Sequence, residues 1–413
     1  MRISTNLANQ NVQNNLRLQE SKLNNANLQM SSQQRIQNLR DDPLAAGHLV
    51  RYQSYAHRVE RFEKNAQTLT DQFSVVEGYV NQSVSILQRI RELAVTGANG
   101  IYGQDDLSNM ALEVDSLLQE LIQNANAIGP DGKALFAGTR STEKVFEAIK
   151  GPVKGSGDSL VTNVRYNGSI GENAVEIDEQ SFLSVNKSGN KIFWAEQQQL
   201  FSNKDALAFQ VQNKSEIAVD GEIIALQPGD NIYSIIAKIN DSGAAVKASL
   251  DPVTKGLNLQ TTDSRQLWLE DVSGNVLENL GVIKDKSQLP PYNLAVGVTV
   301  SGGSMFDSVI SFRDALLSGD VESIGGRVLG SLDSALKNTI AHLTEIGSNH
   351  ERAQQSIARA ETNNLNVTSM IAREGDLDIT QAITDMKMME YVHQASLSTA
   401  AKLYDNTLLN YMR

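Results

Sequence analysis

RIRELAVTGANGIYGQDD, residues 89–106, closes one apolar periodicity and opens another, and the reading of its three glycines decides the fold. Gly97, Gly100 and Gly103 could cradle a phosphate or could break a helix. A phosphate loop follows a buried strand, opens a helix and carries either G-x-G-x-x-G or a Gly-Lys-Ser/Thr ending. None of these conditions is met. Upstream, Val59, Phe62, Ala66, Leu69, Phe73, Val76, Val80, Ser83, Leu87, Ile90 and Ala94 alternate spacings of three and four, which is a heptad seam. Downstream, Leu107, Ala111, Val114, Leu118, Leu121, Ala125 and Ile128 continue it until Gly129-Pro130-Asp131-Gly132 stops the helix. Gly97 to Gly103 is therefore read as the turn between two antiparallel helices, with Asp105 and Asp106 at the positive N-terminal end of the second.

Proline extends the division outward. Residues 44–129 and 292–413 contain none, whereas Pro152, Pro228, Pro252, Pro290 and Pro291 fall between them. A proline inside a helix costs about 3 kcal/mol, so the two gaps are where long helices can run. The C-terminal gap carries Val328, Leu332, Leu336, Ile340, Leu343, Ile346, Ala353, Ile357, Ala360, Val367 and Ile371 at helical spacing from Val321 to about Arg373. Narrower stripes occupy both ends: Val12, Leu16, Gln19, Leu23, Ala26 and Met30 at one, and Leu397, Ala401, Tyr404, Leu408 and Tyr411 at the other. Narrow seams of this kind require partners.

The middle of the chain has another texture. Short alternating runs such as Val164–Tyr166, Ala174–Ile177, Glu216–Leu226 and Leu257–Thr261 are separated by Gly, Ser, Asn and Asp clusters, the pattern of a β-rich insert. Ile232–Ile239, before Asn240-Asp241-Ser242-Gly243, reads as a short helix. The expected class is α+β: a long antiparallel helical rod with its N- and C-terminal helices packed together, carrying an inserted β-rich domain. The expected divisions are terminal coiled-coil segments at 1–43 and 375–413, disordered in the free monomer, a helical rod domain at 44–140 and 303–374, and an outer insert at 141–302 with a sub-module at 215–262.

Composition narrows the function. Aromatic residues are 5% of the 413 and hydrophobic residues 40%, so burial is expected to rest on Leu, Ile, Val and Ala. A net charge of −12 disfavours nucleic acid, and the sequence shows no basic patch that would reverse this. With no cysteine there are no disulfides, thiolate catalysis or cysteine metal sites. That absence suits a protein that must stay unlinked in an oxidising exterior. No apolar run reaches the roughly 20 residues of a membrane span, so membrane insertion is not expected. MRISTNLANQNVQNN lacks the apolar core of a secretory signal, so passage out of the cytoplasm would take another route.

Catalytic and ligand sites find no candidate. His48, His57, His342, His350 and His393 include no H-x-x-x-H pair, and no metal or cofactor is expected. Asp376 and Asp378 lack the further oxygens, glycine and glutamate of a calcium loop, and Asp378 reads as a helix cap for Ile379 onward. Asp41-Asp42-Pro43 reads as a proline-fixed helix start rather than a carboxylate pair. Asn81, Asn167 and Asn366 stand in glycosylation patterns that recur by chance in an Asn-rich chain, and there is no Gly-x-Ser-x-Gly elbow. The chain is expected not to be an enzyme. Trp194 and Trp268 prompt a glycan-binding alternative for the insert, against which stands the reading of both as core residues.

Between Asn6 and Asn38 the polar helix positions hold mostly Asn and Gln rather than Lys and Glu. Enclosed charges must be paired at high cost, whereas amides need only satisfied hydrogen bonds. This helix is therefore expected to be surrounded by other protein.

Specific motifs carry a resemblance. RIQNLRDDPLAA (Arg35 to Ala46), LQRIRELAVTGANG (Leu87 to Gly100), LFAGT (Leu135 to Thr139), MFDSVISFRDALLSGD (Met305 to Asp320) and the ending QASLSTAAKLYDNTLLNYM resemble flagellins and, most of all, flagellar hook–filament junction proteins. The resemblance covers roughly 1–140 and 303–413. VDGEIIALQPGDNIYSIIAKINDSGAAVKASLD (Val219 to Asp251) is similar to a module found in flagellins and hook-associated proteins. The resemblance implies export through the flagellar type III apparatus with an export chaperone, and localisation to the flagellum. It implies assembly with an adjacent junction protein, flagellin filament subunits and copies of itself through the terminal helices, with the β domain facing solvent. Val12, Leu16, Leu23, Met30, Leu397, Tyr404, Leu408 and Tyr411 are the expected interface. Flagellin, the filament subunit, is the alternative.

Overall fold

The computed structural model describes residues 2–38, 40–140, 144–157, 159–284, 288 and 290–411, with side chains described between Gln10 and Lys402. In chain order the elements begin with helices α1 (Arg2–Ser32), α2 (Pro43–Gly97) and α3 (Gln104–Ala125). Strands β1 (Phe146–Pro152), β2 (Ser159–Tyr166), β3 (Ala174–Asp178) and β4 (Ser181–Ser184) follow, then α4 (Gly189–Ile192) and β5 (Gln199–Ser202). Next come β6 (Ser215–Val219), β7 (Glu222–Leu226), α5 (Ile232–Asp241), β8 (Val246–Leu250), β9 (Leu257–Thr261), β10 (Leu269–Ser273), α6 (Val276–Asn279) and β11 (Val298–Ser301). The C-terminal part holds α7 (Met305–Ser318), α8 (Val321–Ser323), a π-helical turn at Ile324–Val328, α9 (Leu329–Gly375) and α10 (Ile379–Tyr411). The class is α+β, with long helices at both ends of the sequence and strands between them. Two compact units are distinguished: Met1–Lys64 with Ser356–Arg413, and Asn65–Gln355.

In the second unit the heptad seam of α2 is buried throughout, from Ala66 and Leu69 to Ile90 and Ala94. Gln82 meets Glu120 and Arg89 meets Glu113, so α3 runs antiparallel to α2. Glu77 meets His350 and Arg91 meets Asp333, which sets α9 antiparallel to α2 as well. The turn between α2 and α3 is as read: Gly100 has φ +64°, and Gly103 caps α3, where its N–H is accepted by Asp106 Oδ2. Helix α3 stops at Ala125, earlier than expected, because the Asn126 side chain ends it. Its amide donates to Ile122 O and Phe146 O and its oxygen accepts from Phe146 N, tying the helix end to β1. Ile128 is left outside the seam and exposed.

Opposite α3 lies α7, begun by a capping box in which Ser304 and Asp307 accept each other's backbone N–H. Arg313 on α7 is fully buried and donates to Asp115 of α3 at 2.7 Å and to Asp314 at 2.8 Å. The π-helical turn after α8 interrupts a periodicity that the sequence presents as one helix. Ile340 also departs from the expected stripe; it is exposed while Thr339 is buried beside it.

The insert builds four antiparallel sheets among the described residues: β1–β2, β3–β4, β10–β6–β7 and β11–β5–β9–β8. Asp220 and Gly221, both at positive φ, make the hairpin turn between β6 and β7. Residues from Leu200 to Ile283 share one aliphatic core around Ile217, Ile235, Leu257 and Leu277. β5, β10 and α6 share these sheets and this core with residues 215–262. Aromatic packing is concentrated elsewhere. Phe136 of the LFAGT stretch, Phe146, Phe193 and Phe306 form a buried knot with ring centroids 4.9–6.0 Å apart. The low aromatic content thus conceals a local aromatic core that joins α7 to the insert. Both tryptophans are buried, and Arg140 lies over the Trp268 ring.

Candidate assembly surfaces

The first unit is built from α1, α10 and the facing ends of α2 and α9. Asp42 N-caps α2 by accepting from Ala45 N, which draws its carboxyl below the usual range, and Pro43 occupies the first helical position. Arg35 donates from Nε and Nη2 to Glu374 O, and its backbone N–H bonds to Gly375 O. Asp378 accepts from Gln381 N at 3.1 Å and so caps α10. These bonds bring the two connections, 33–42 and 374–378, together, so that α1 and α10 emerge side by side.

Val12, Leu16, Gln19, Leu23, Ala26 and Met30 all occupy the half-buried stripe of α1. The stripe of α10 is not the expected one. Ala382, Met386, Met389, His393, Ser396 and Ala400 take the inward positions at heptad spacing, while Leu397 is 48% exposed and Ala401 is also exposed. Beside Leu397 the inward positions are held by the small residues Ser396 and Ala400. The side chains of Tyr404, Leu408 and Tyr411 lie outside those described.

This pair leaves much apolar surface in water. Tyr391 is 75% exposed, Met388 64% and Leu18 60%, with Leu28, Ile383 and Val392 also exposed. A groove of about 550 Å³ runs along the pair between Leu16, Leu18, Tyr391 and Val392. Within the seam Gln19 Oε1 and His393 Nδ1 are buried without hydrogen-bond partners, so its closure is energetically weak. Sequence reasoning found the α1 stripe but missed Met388, Tyr391 and Val392, which sit on the outward face and escape a search for a single seam.

Among the described residues no group of three or more His, Cys, Asp or Glu is placed to hold a metal, and no helix is long and apolar enough to cross a membrane. The expected turn glycines serve packing: a Cβ at Gly97 would stand 3.1 Å from Leu316 Cδ2.

Residues 3–141 match the bacterial flagellin N-terminal helical region. Flagellin A of Vibrio cholerae is 24% identical over 402 residues, 97% of this chain and 96% of its own length. Flagellar hook-associated protein 3 of Escherichia coli is 25% identical over 165 residues, 40% of this chain and 48% of its own. Among solved structures, the flagellar junction protein FlgL from Legionella pneumophila aligns at 16% identity over 81% of this chain and all of that one, with a TM-score of 0.44.

Proposed function

We propose that this chain, a non-enzymatic flagellar structural protein of the flagellin superfamily, is an adaptor at the hook–filament junction. It assembles on the hook against an adjacent junction protein, contacts copies of itself, and templates the first flagellin subunits. The observation that carries this reading is the unfinished α1/α10 pair, whose outward face is studded with Leu18, Leu28, Met388, Tyr391, Val392 and Leu397. Covering one such side chain is worth about 1.5–3 kcal/mol, and repetition around a tube makes assembly cooperative. The turn glycines Gly97, Gly100 and Gly103 keep the α2–α3 hairpin tight. Export unfolded through the flagellar type III apparatus, with a chaperone holding the terminal helices, accounts for helices that are only half-buried within one chain.

The filament subunit itself is a second reading, favoured by the likeness to Flagellin A across nearly the whole chain. Copy number and polymerisation separate the two. A junction protein stops at a short ring and its deletion leaves hooks without filaments, with flagellin lost to the medium. A filament subunit is abundant and forms long fibres alone. In either case Leu408→Asp is expected to leave the fold of residues 65–355 intact and to abolish entry into the flagellum. Normal incorporation of this variant would count against both readings.

A further inference from the structure

Asparagine is followed by glycine at two places in the chain, Asn99-Gly100 and Asn167-Gly168, and the fold treats the two pairs oppositely. The pairing matters chemically because a glycine, having no Cβ, lets its backbone nitrogen approach the amide of the side chain before it. Attack of that nitrogen on the asparagine Cγ forms a new C–N bond, expels ammonia and closes a cyclic imide. Water then opens the imide at either carbonyl. The products are aspartate, or isoaspartate, in which the main chain runs through the former side chain.

At Asn167 every part of this machinery is held. Its backbone N–H donates to Val145 O at 2.7 Å, and its side-chain nitrogen, the leaving group, donates to Glu147 Oε2 at 3.2 Å. The carbonyls of Asn167 and Gly168 both accept from Arg140 Nη1, at 3.4 and 3.1 Å. Gly168 is buried, with the Tyr166 hydroxyl against the side on which a Cβ would stand. The turn between α2 and α3 differs at each point. Asn99 and Gly100 are both exposed, and Gly100 stands at φ +64°. Among the described residues neither the Asn99 side chain nor the Gly100 N–H has a hydrogen-bond partner, while the Asn99 backbone N–H reaches Thr96 O at a long 3.3 Å. A segment so sparsely bonded opens locally at little cost.

We propose that Asn99 is a self-modifying site, converted in the folded protein by attack of the Gly100 nitrogen, and that the fold protects Asn167 from the same reaction. The product carboxylate stands just past Gly97, the last residue of α2, where the helix dipole is negative and a further negative charge is unfavourable. It also joins exposed Asp105 and Asp106, and Asp320 and Glu322 flank Val321, which lies 3.9 Å from a Cβ placed at Gly100. Isoaspartate lengthens the main chain beside Ala98, whose Cβ is 3.6 Å from a Cβ placed at Gly325. Charge and length both loosen the α2–α3 hairpin as a chain ages. This chemistry is independent of which flagellar part the chain forms.

The test compares the two asparagines within one molecule. Full-length protein is kept in warm, mildly alkaline buffer, either folded or in concentrated urea, and then digested for mass spectrometry. In the folded protein the peptide holding Asn99 is expected to gain the one dalton of amide-to-acid conversion and to accept label from an isoaspartyl methyltransferase. Its rate should exceed that of the peptide holding Asn167 at least tenfold, and the two rates should converge in urea. No conversion at Asn99 in the folded protein, equal rates there, or a gap that persists in urea overturns the proposal. Asn99→Asp, which supplies one product outright, is expected to lower the thermal midpoint relative to Asn99→Gln, which keeps an uncharged amide. Equal midpoints would overturn the loosening of the hairpin by charge.

Discussion

The α3–α7 interface and the α1–α10 pair are both helix on helix, yet one is finished and the other is not. Leu118, Leu121, Phe312 and Leu316 are fully enclosed, and even the charged Arg313 is buried because Asp115 and Asp314 complete its hydrogen bonds. The terminal pair has the same periodicity but only half-buries it, since among the described residues no third layer covers Tyr391, Met388 or Leu18. The difference teaches that a heptad seam specifies which helices meet, while burial depends on how many neighbours the seam receives.

The largest effect is expected from Arg313→Ala, which strands Asp115 and should cost about 3–5 kcal/mol in chemical unfolding of the second unit. A small loss there would mean that the finished interface does not depend on its buried ion pair. Leu118→Ala should cost about 2–5 kcal/mol, whereas Leu23→Ala on α1 should cost under about 1 kcal/mol in the free chain and yet impair incorporation into flagella. Equal costs at the two leucines would erase the contrast. Gly138→Ala should destabilise by more than about 1 kcal/mol, since φ is +64° and a Cβ would collide with Ser169 O. Thermal unfolding reads that change.

The smallest effect concerns Glu345, whose carboxyl is drawn down to about 2 by hydrogen bonds from His342 and Lys187, against the opposing effect of burial. Because the folded value lies below the ordinary 4.5, its stabilisation is present above that pH and disappears as pH falls from 4.5 towards 2. The melting-temperature gap between wild type and Glu345→Gln should therefore be constant near neutrality and close under acid. Exposure of the Glu345 carboxylate limits its worth to under about 1 kcal/mol.

Much of the fold was legible. The turn at 97–103, the α2 seam, the strand pattern at 216–226, the short helix near 232–239, the helix start at Pro43 and the cap at Asp378 each follow from local chemistry acting within a few residues. The candidate surface was half legible. The half-buried positions of α1, Val12, Leu16, Leu23 and Met30, follow its single stripe, but the spacing that joins Leu397 to Ala401 misses the inward stripe of α10, which passes through Ser396 and Ala400. Ile128 was lost to Asn126, whose side chain bonds to a strand twenty residues away. Periodicity cannot report such a partner.

By itself the sequence determined where the long helices run and that a β-rich module interrupts them, because glycine, proline and apolar spacing act over a turn or two of backbone. Tertiary structure alone decided which stripes are completed and which stay open. It gathered Phe136, Phe146, Phe193 and Phe306 into one core and enclosed Arg313. The reason is that burial and charge pairing depend on neighbours distant along the chain, and only the fold chooses those neighbours.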